Sequence, residues 1–151
     1  MHPIKTLLVP TDFGEPAEAA LAWAADLAEG LGARLFLLHT YQLPVIGFPD
    51  GMYVASDDEF ATRMVAAANK ALEDAIKTLN GRNIEVTPLV KAGDPREVIL
   101  TTAKEVGANL IVMGTHGRRG ISRALIGSVT ESLVRTSTVP ILTVHAPDPK
   151  A

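Results

Sequence analysis

The 151-residue chain predicts an α/β fold, a single open, mainly parallel five-stranded sheet with helices on both faces. Three observations carry that reading. Short apolar runs rich in Val, Ile and Leu alternate with longer segments of helical periodicity. Their order is strand, helix, strand, helix, strand, helix, strand, helix, strand. Proline and glycine punctuate the starts and stops of the helices.

Ile4 to Val9 is a short branched apolar run with Pro10 at its end, which predicts a strand buried on both faces. Glu15-Pro16 opens a helix, with proline in a favoured first-turn position. Ala17, Ala20, Leu21, Ala24, Leu27, Ala28 and Leu31 follow helical spacing, and Gly30 and Gly32 close the segment. Arg34 to Thr40 is a second strand. Tyr41 to Asp58 is irregular, broken by Pro44, Gly47, Pro49 and Gly51, and loops of this length are often functional.

A second helix covers about Glu59 to Leu79, with Met64, Ala68, Ala71, Leu72, Ala75 and Ile76 inward and Gly81 as a stop. Ile84, Val86, Pro88 and Val90 alternate as a third strand, and Pro88 favours an edge because it lacks a ladder donor. Asp94-Pro95-Arg96-Glu97 is a helix start, with Asp as cap and Pro at the first position; that helix ends near Gly107. Asn109 to Met113 is a fourth buried strand. A last helix spans about Val129 to Thr136, and Val139 to Val144 is the fifth strand. Trp23, Met64 and the other apolar helix residues are assigned to the core.

Composition bounds the chemistry. Hydrophobic residues make up 47% and aromatics 5%, so the core is built from Ala, Val, Leu and Ile. One domain, residues 1–151, fits the length. The absence of cysteine excludes disulfides, thiol catalysis and thiolate metal sites, and is compatible with a cytoplasmic location. The N-terminal run is too short for a signal peptide, and no stretch approaches the ~18 apolar residues of a membrane span. A net charge of -3 argues against a general nucleic-acid binder.

Two strand ends are chemically unusual: Val9-Pro10-Thr11-Asp12 and Met113-Gly114-Thr115-His116-Gly117. In open α/β sheets, ligands bind beyond the carboxyl ends of the strands where strand order reverses. If the first and fourth strands are neighbours, the sheet order is 3-2-1-4-5 and both segments line one crevice. Gly114 and Gly117 lack a Cβ and tolerate positive φ, which suits converging backbone N–H groups around a phosphate. Gly127-Ser128 stands just before the last helix, whose N-terminus offers free N–H groups and partial positive charge. Ser128 and Thr130 add hydroxyls. Each glycine alone reads as a turn and Ser128 alone as a helix cap; together, after a buried strand and before a helix, they read as a polyphosphate cradle. No G-x-x-x-x-G-K-[ST] is present, and PTDFG rather than G-x-G-x-x-G follows the first strand, so neither a P-loop nor a Rossmann site is expected.

Gly114-x-x-Gly117, nine residues, then Gly127-Ser128 resembles the G-2x-G-9x-G-[S/T] signature of ATP-binding universal stress proteins. The likeness extends to TLLVPTD, LLH, AGDP, LIVMGTHGR and VPILTV, nearly the whole chain. It implies an adenine-nucleotide alpha hydrolase-like fold. It further implies that Pro10, Thr11 and Asp12 meet adenine and ribose, that Thr40 contacts adenine by its backbone, and that Met113 and Gly114 flank the ribose. Gly117, Gly127, Ser128, Val129 and Thr130 would hold the phosphates, within a segment that includes Thr115 and His116. Mg²⁺ or Mn²⁺ would bridge phosphate oxygens, and a homodimer would pair through Val139 to Val144. The Tyr41 to Asp58 loop varies in such proteins.

Asp12 reads either as a ligand contact or as an N-cap for the first helix. Arg118, Arg119 and Arg123 read as solvated more readily than as phosphate contacts. His116 has no carboxylate partner nearby in sequence, and His39 reads as a buried, hydrogen-bonded side chain. With no recognisable catalytic lysine or water-positioning base, the leading reading is a nucleotide-dependent stress-response or signalling switch. The alternatives are a slow ATPase or autophosphorylating protein, and a chaperone-like module using the Tyr41 to Met52 loop.

Overall fold

The computed structural model describes residues 2–51, 53–55, 58–115 and 126–147. Its main sheet holds β1 (Thr6–Pro10), β2 (Arg34–Tyr41), β5 (Val86–Ala92), β6 (Leu110–Gly114) and β7 (Ile141–Val144), in the order β5-β2-β1-β6-β7. Every neighbouring pair is parallel. This is the expected 3-2-1-4-5 order, with Pro88 on an edge strand opposite Leu37.

Period-two alternation within the strands divides the core between two faces. Leu7, Val9, Leu35, Leu37 and Val112 join one cluster with the alanine face of α1 (Glu15–Leu31) and with Leu72 of α2 (Asp58–Lys77). Leu8, Leu38, Ile111 and Met113 join the other, against Ile99 and Ala103 of α3 (Pro95–Val106) and Leu133 of α4 (Ser128–Thr136). Alanines at positions 17, 20, 24, 25 and 28 are all buried, so α1 rides close to the sheet.

The cap readings hold at α3. Asp94 accepts from the Arg96 N–H at 2.9 Å, and Gly107 closes the helix in a left-handed conformation. At the first strand, the opposite end of the sheet is held by a side chain. Asn109 Oδ1 accepts from the Lys5 and Thr6 N–H groups at 2.8 and 3.0 Å. The ladders therefore begin later than the apolar runs, at Thr6 rather than Ile4 and at Leu110 rather than Asn109.

Three expectations are corrected. Within the irregular 41–58 stretch, β3 (Val45–Gly47) and β4 (Tyr53–Ala55) pair antiparallel. Strands of three residues are too short to show alternation. Trp23 is 57% exposed rather than core, because it lies off the alanine stripe of α1 that faces the sheet. Leu31, in the last turn, is exposed as well.

Candidate functional site

The β1–β2 ladder ends where the Thr11 N–H donates to the Leu38 carbonyl at 2.8 Å. The chain then turns away through side chain–backbone bonds. Thr11 Oγ1 accepts from the Phe13 N–H at 3.0 Å, and Asp12 Oδ1 accepts from the Gly14 N–H at 2.9 Å. Phe13 takes φ = 64°, the one non-glycine residue with positive φ among those described. Gly14, not Asp12, is the N-cap of α1, so the capping alternative for Asp12 is overturned. Asp12 still reaches the cleft wall, with its second carboxylate oxygen outside this turn.

On β2, Leu35 and Tyr41 bond toward β5, through Glu85 and Gly93, whereas Leu38 bonds toward β1. Strand alternation therefore turns the Thr40 N–H and carbonyl to the β1 side, just past the point where β1 has left the sheet. His39 Nδ1 lies 2.9 Å from the Thr11 carbonyl, and the His39 and Phe13 rings are 4.7 Å apart. His39 is thus hydrogen-bonded, half-buried, and part of the cleft wall.

At the end of β6, the structure changes the meaning of several residues. Gly114 does not adopt positive φ. The room for its missing Cβ is filled by Pro16 of α1, whose carbonyl carbon would lie 2.7 Å from such an atom. Gly114 therefore serves close helix–strand approach and not the positive-φ turn expected of it. Thr115 is buried and does not line the cleft. Its N–H donates to the Val144 carbonyl at 3.0 Å, its carbonyl accepts from the Gly127 N–H, and its Oγ1 lies 3.1 Å from His145 Nδ1. It fastens the ends of β6 and β7 to the start of α4. His116, Gly117, Arg118, Arg119 and Arg123 lie outside the described residues.

Gly127 is the N-cap of α4 without a side-chain cap, and Ser128 is the first helical residue rather than the residue before it. The first N–H that the helix itself uses belongs to Glu131, which donates to the Gly127 carbonyl. Among the described residues, none accepts from the N–H groups of Ser128, Val129 and Thr130, the groups that a helix start leaves without an intrahelical partner. The Thr130 hydroxyl is already spent: it is 4% exposed and donates to the Gly114 carbonyl at 2.9 Å. As a hydroxyl donor to a phosphate it is overruled; its backbone N–H and the exposed Ser128 hydroxyl remain.

These pieces enclose a cavity of about 240 Å³ at the carboxyl end of the sheet. Pro10, Thr11 and Asp12 line it from β1, Thr40 from β2, Met113 and Gly114 from β6, and Gly127, Ser128, Val129 and Thr130 from α4. Five further wall residues escaped the sequence reading: Ala17, Leu38, His39, Pro95 and Ile99. Pro95 was legible as a helix start; that this start flanks the cleft follows only from the strand order. The interior is mainly apolar, with a few polar groups contributed by β1, β2 and α4, the usual build of a small-molecule site. Among the described residues, no group of three or more His, Cys, Asp or Glu side chains could hold a metal ion. No helix there is long and apolar enough to cross a membrane.

Comparison with known proteins gives a consistent result. A sequence model of the universal stress protein family matches residues 3–145. Universal stress protein MJ0577 of Methanocaldococcus jannaschii is 29% identical, over 93% of this chain and 94% of its own. Its solved structure superposes with a TM-score of 0.80 and covers 97% of this chain and 99% of that one. A universal stress protein of Thermus aquaticus is 34% identical, over 93% of this chain and 98% of its own. A family protein of Arabidopsis thaliana, solved with AMP bound, shares the fold at a TM-score of 0.67 and 19% identity, covering 97% and 94% of the two chains.

Proposed function

Because the chain belongs to the universal stress protein family, we propose that it binds ATP in the cleft between β1, β6 and α4 and acts as a nucleotide-dependent stress-response or signalling switch. The observation that carries this reading is the pairing of two unlike ends in one cavity. One end has apolar walls beside a strand backbone turned inward at Thr40. The other is the start of α4, where three N–H groups have no partner among the described residues and the helix carries partial positive charge. A flat base with a polar edge suits the first, and a phosphate chain suits the second.

The cavity, at about 240 Å³, is near the ~300 Å³ lower bound of small-molecule pockets, so it matches a base and sugar with phosphates emerging over α4. Asp12, which lines the wall, would accept from ribose hydroxyls or the amino group of the base. Mg²⁺ or Mn²⁺ would ride on the phosphate oxygens, since the described residues build no cage of their own. AMP in the Arabidopsis thaliana protein is a property of that protein; at 19% identity it supports the shared fold, and the nucleotide reading rests on the cleft of this chain. The cytoplasm is the compartment assigned, and a homodimer through the free edge of β7 the assembly.

The test is to denature the purified protein, identify any released nucleotide by mass spectrometry, and titrate the stripped protein with ATP and Mg²⁺ by calorimetry. Expected is stoichiometric adenine nucleotide or micromolar binding of ATP, weakened by Asp12→Ala. No released nucleotide, no heat and no thermal shift would overturn the proposal.

A further inference from the structure

Resting on the nucleotide reading above, we infer that His39 is a positioning residue for that site: its ring replaces the next rung of the β1–β2 ladder and leaves the Thr40 backbone open for the base. Regular parallel pairing past the Thr11–Leu38 bond would have the Thr40 N–H donate to the Thr11 carbonyl. That carbonyl is instead 2.9 Å from His39 Nδ1. A carbonyl can only accept, so Nδ1 carries the hydrogen and donates it. In the neutral ring Nε2 is then a bare acceptor.

The same ring supports the kink that follows. It packs against Phe13 at 4.7 Å between centroids with a 37° tilt. Phe13 holds φ = 64°, a left-handed backbone that a bulky side chain rarely adopts and that persists only where its surroundings hold it. His39 therefore grips the chain on both sides of Asp12, at the Thr11 carbonyl before it and the Phe13 ring after it. Without that grip the Thr40 N–H can close on the Thr11 carbonyl. The strand would zip by one rung, and the cleft would lose a donor and its fixed Asp12 turn.

The experiment combines residue-resolved amide exchange, imidazole ¹⁵N NMR and ATP titration on the wild type, His39→Leu and His39→Asn. In the nucleotide-free wild type the Thr40 amide exchanges freely and the His39 ring is the Nδ1–H tautomer. ATP with Mg²⁺ then protects that amide. His39→Leu protects it without nucleotide and weakens ATP binding roughly tenfold, the loss expected of one hydrogen bond. His39→Asn keeps affinity within about threefold, because its amide nitrogen, attached like Nδ1 to Cγ, still donates to Thr11. A protected Thr40 amide in the free wild type, an Nε2–H tautomer, or unchanged affinity in His39→Leu overturns the role. If the wild type takes up no ATP, the nucleotide reading falls, and the Thr40 exchange rate and the ring tautomer still decide whether His39 replaces the rung.

Discussion

Gly114 and Pro16 touch so closely that a Cβ on the glycine would sit 2.7 Å from both the Cβ and the carbonyl carbon of Pro16. The neighbour is the rigid first turn of α1, and no flexible side-chain tip is available to move aside. Gly114→Ala must push α1 off the end of β6. Overpacking of this kind costs about 1–3 kcal/mol. We expect that loss in urea unfolding without any nucleotide, with a further loss of ATP affinity because Asp12 and Ala17 move with the helix. A variant as stable as the wild type would mean that the glycine serves the ligand alone.

Thr130 ties the start of α4 to the same strand end, through its hydroxyl and the Gly114 carbonyl. Thr130→Val keeps the shape and deletes the donor, leaving the half-buried Gly114 carbonyl short of a partner. That change should cost about 1–3 kcal/mol, while Thr130→Ser, which keeps the hydroxyl, should cost less. Thermal unfolding of the two variants measures the difference. Equal losses in both would indicate that the methyl group, not the bond, holds the helix start.

Much of the fold was legible because its parallel strands are buried on both faces and read as unbroken apolar runs, such as Leu7-Leu8-Val9 and Ile111-Val112-Met113. The cap signals at Asp94 and Gly107 depend on neighbours in the chain and were legible for the same reason. The site was legible as two strand ends and a helix start. What each residue does there was not, since it depends on contacts between distant segments. Gly114 looked like a phosphate-cradle glycine free to take positive φ until Pro16 of α1 was seen against it. Thr130 looked like a ligand donor until its hydroxyl was found bonded to Gly114. His39 showed no sequence signal beyond its strand-end position, because its partners, Thr11 and Phe13, are set by the pairing of β1 with β2.

Arg82 joins α1 to the turn before β5. It donates to Glu29 Oε2 and Asp26 Oδ1, both at 2.7 Å. The hydrogen bond from Arg82, then one from the Asn83 N–H, holds the Glu29 carboxyl below its ordinary value of 4.5. A lowered folded-state value makes the unfolded chain the better proton binder. The stabilisation is therefore present above the usual carboxylate range and is lost as pH falls through the folded-state value. Arg82→Gln should lower the melting temperature at pH 7, and the gap to the wild type should close below about pH 4. Because the groups are partly exposed, added salt should shrink the gap at pH 7. A gap that stayed constant with pH would rule out the ion pair as its source.

The proposed homodimer can be separated from the fold through the bonding pattern of β7. The Pro140 carbonyl accepts from Ile111 and the Val144 carbonyl from Thr115, so alternation turns the backbone groups of Ile141 and Thr143 to the free edge. Proline removes an N–H and is tolerated on edge strands where that N–H faces outward. Thr143→Pro therefore deletes a donor that β6 does not use but that a second copy pairing along β7 requires. Sedimentation should show the wild type at twice the 16.0 kDa chain mass and the variant at that mass, with its circular dichroism spectrum retained. A wild type already monomeric at micromolar concentration, or a Thr143→Pro variant that stays dimeric, would remove β7 as the interface.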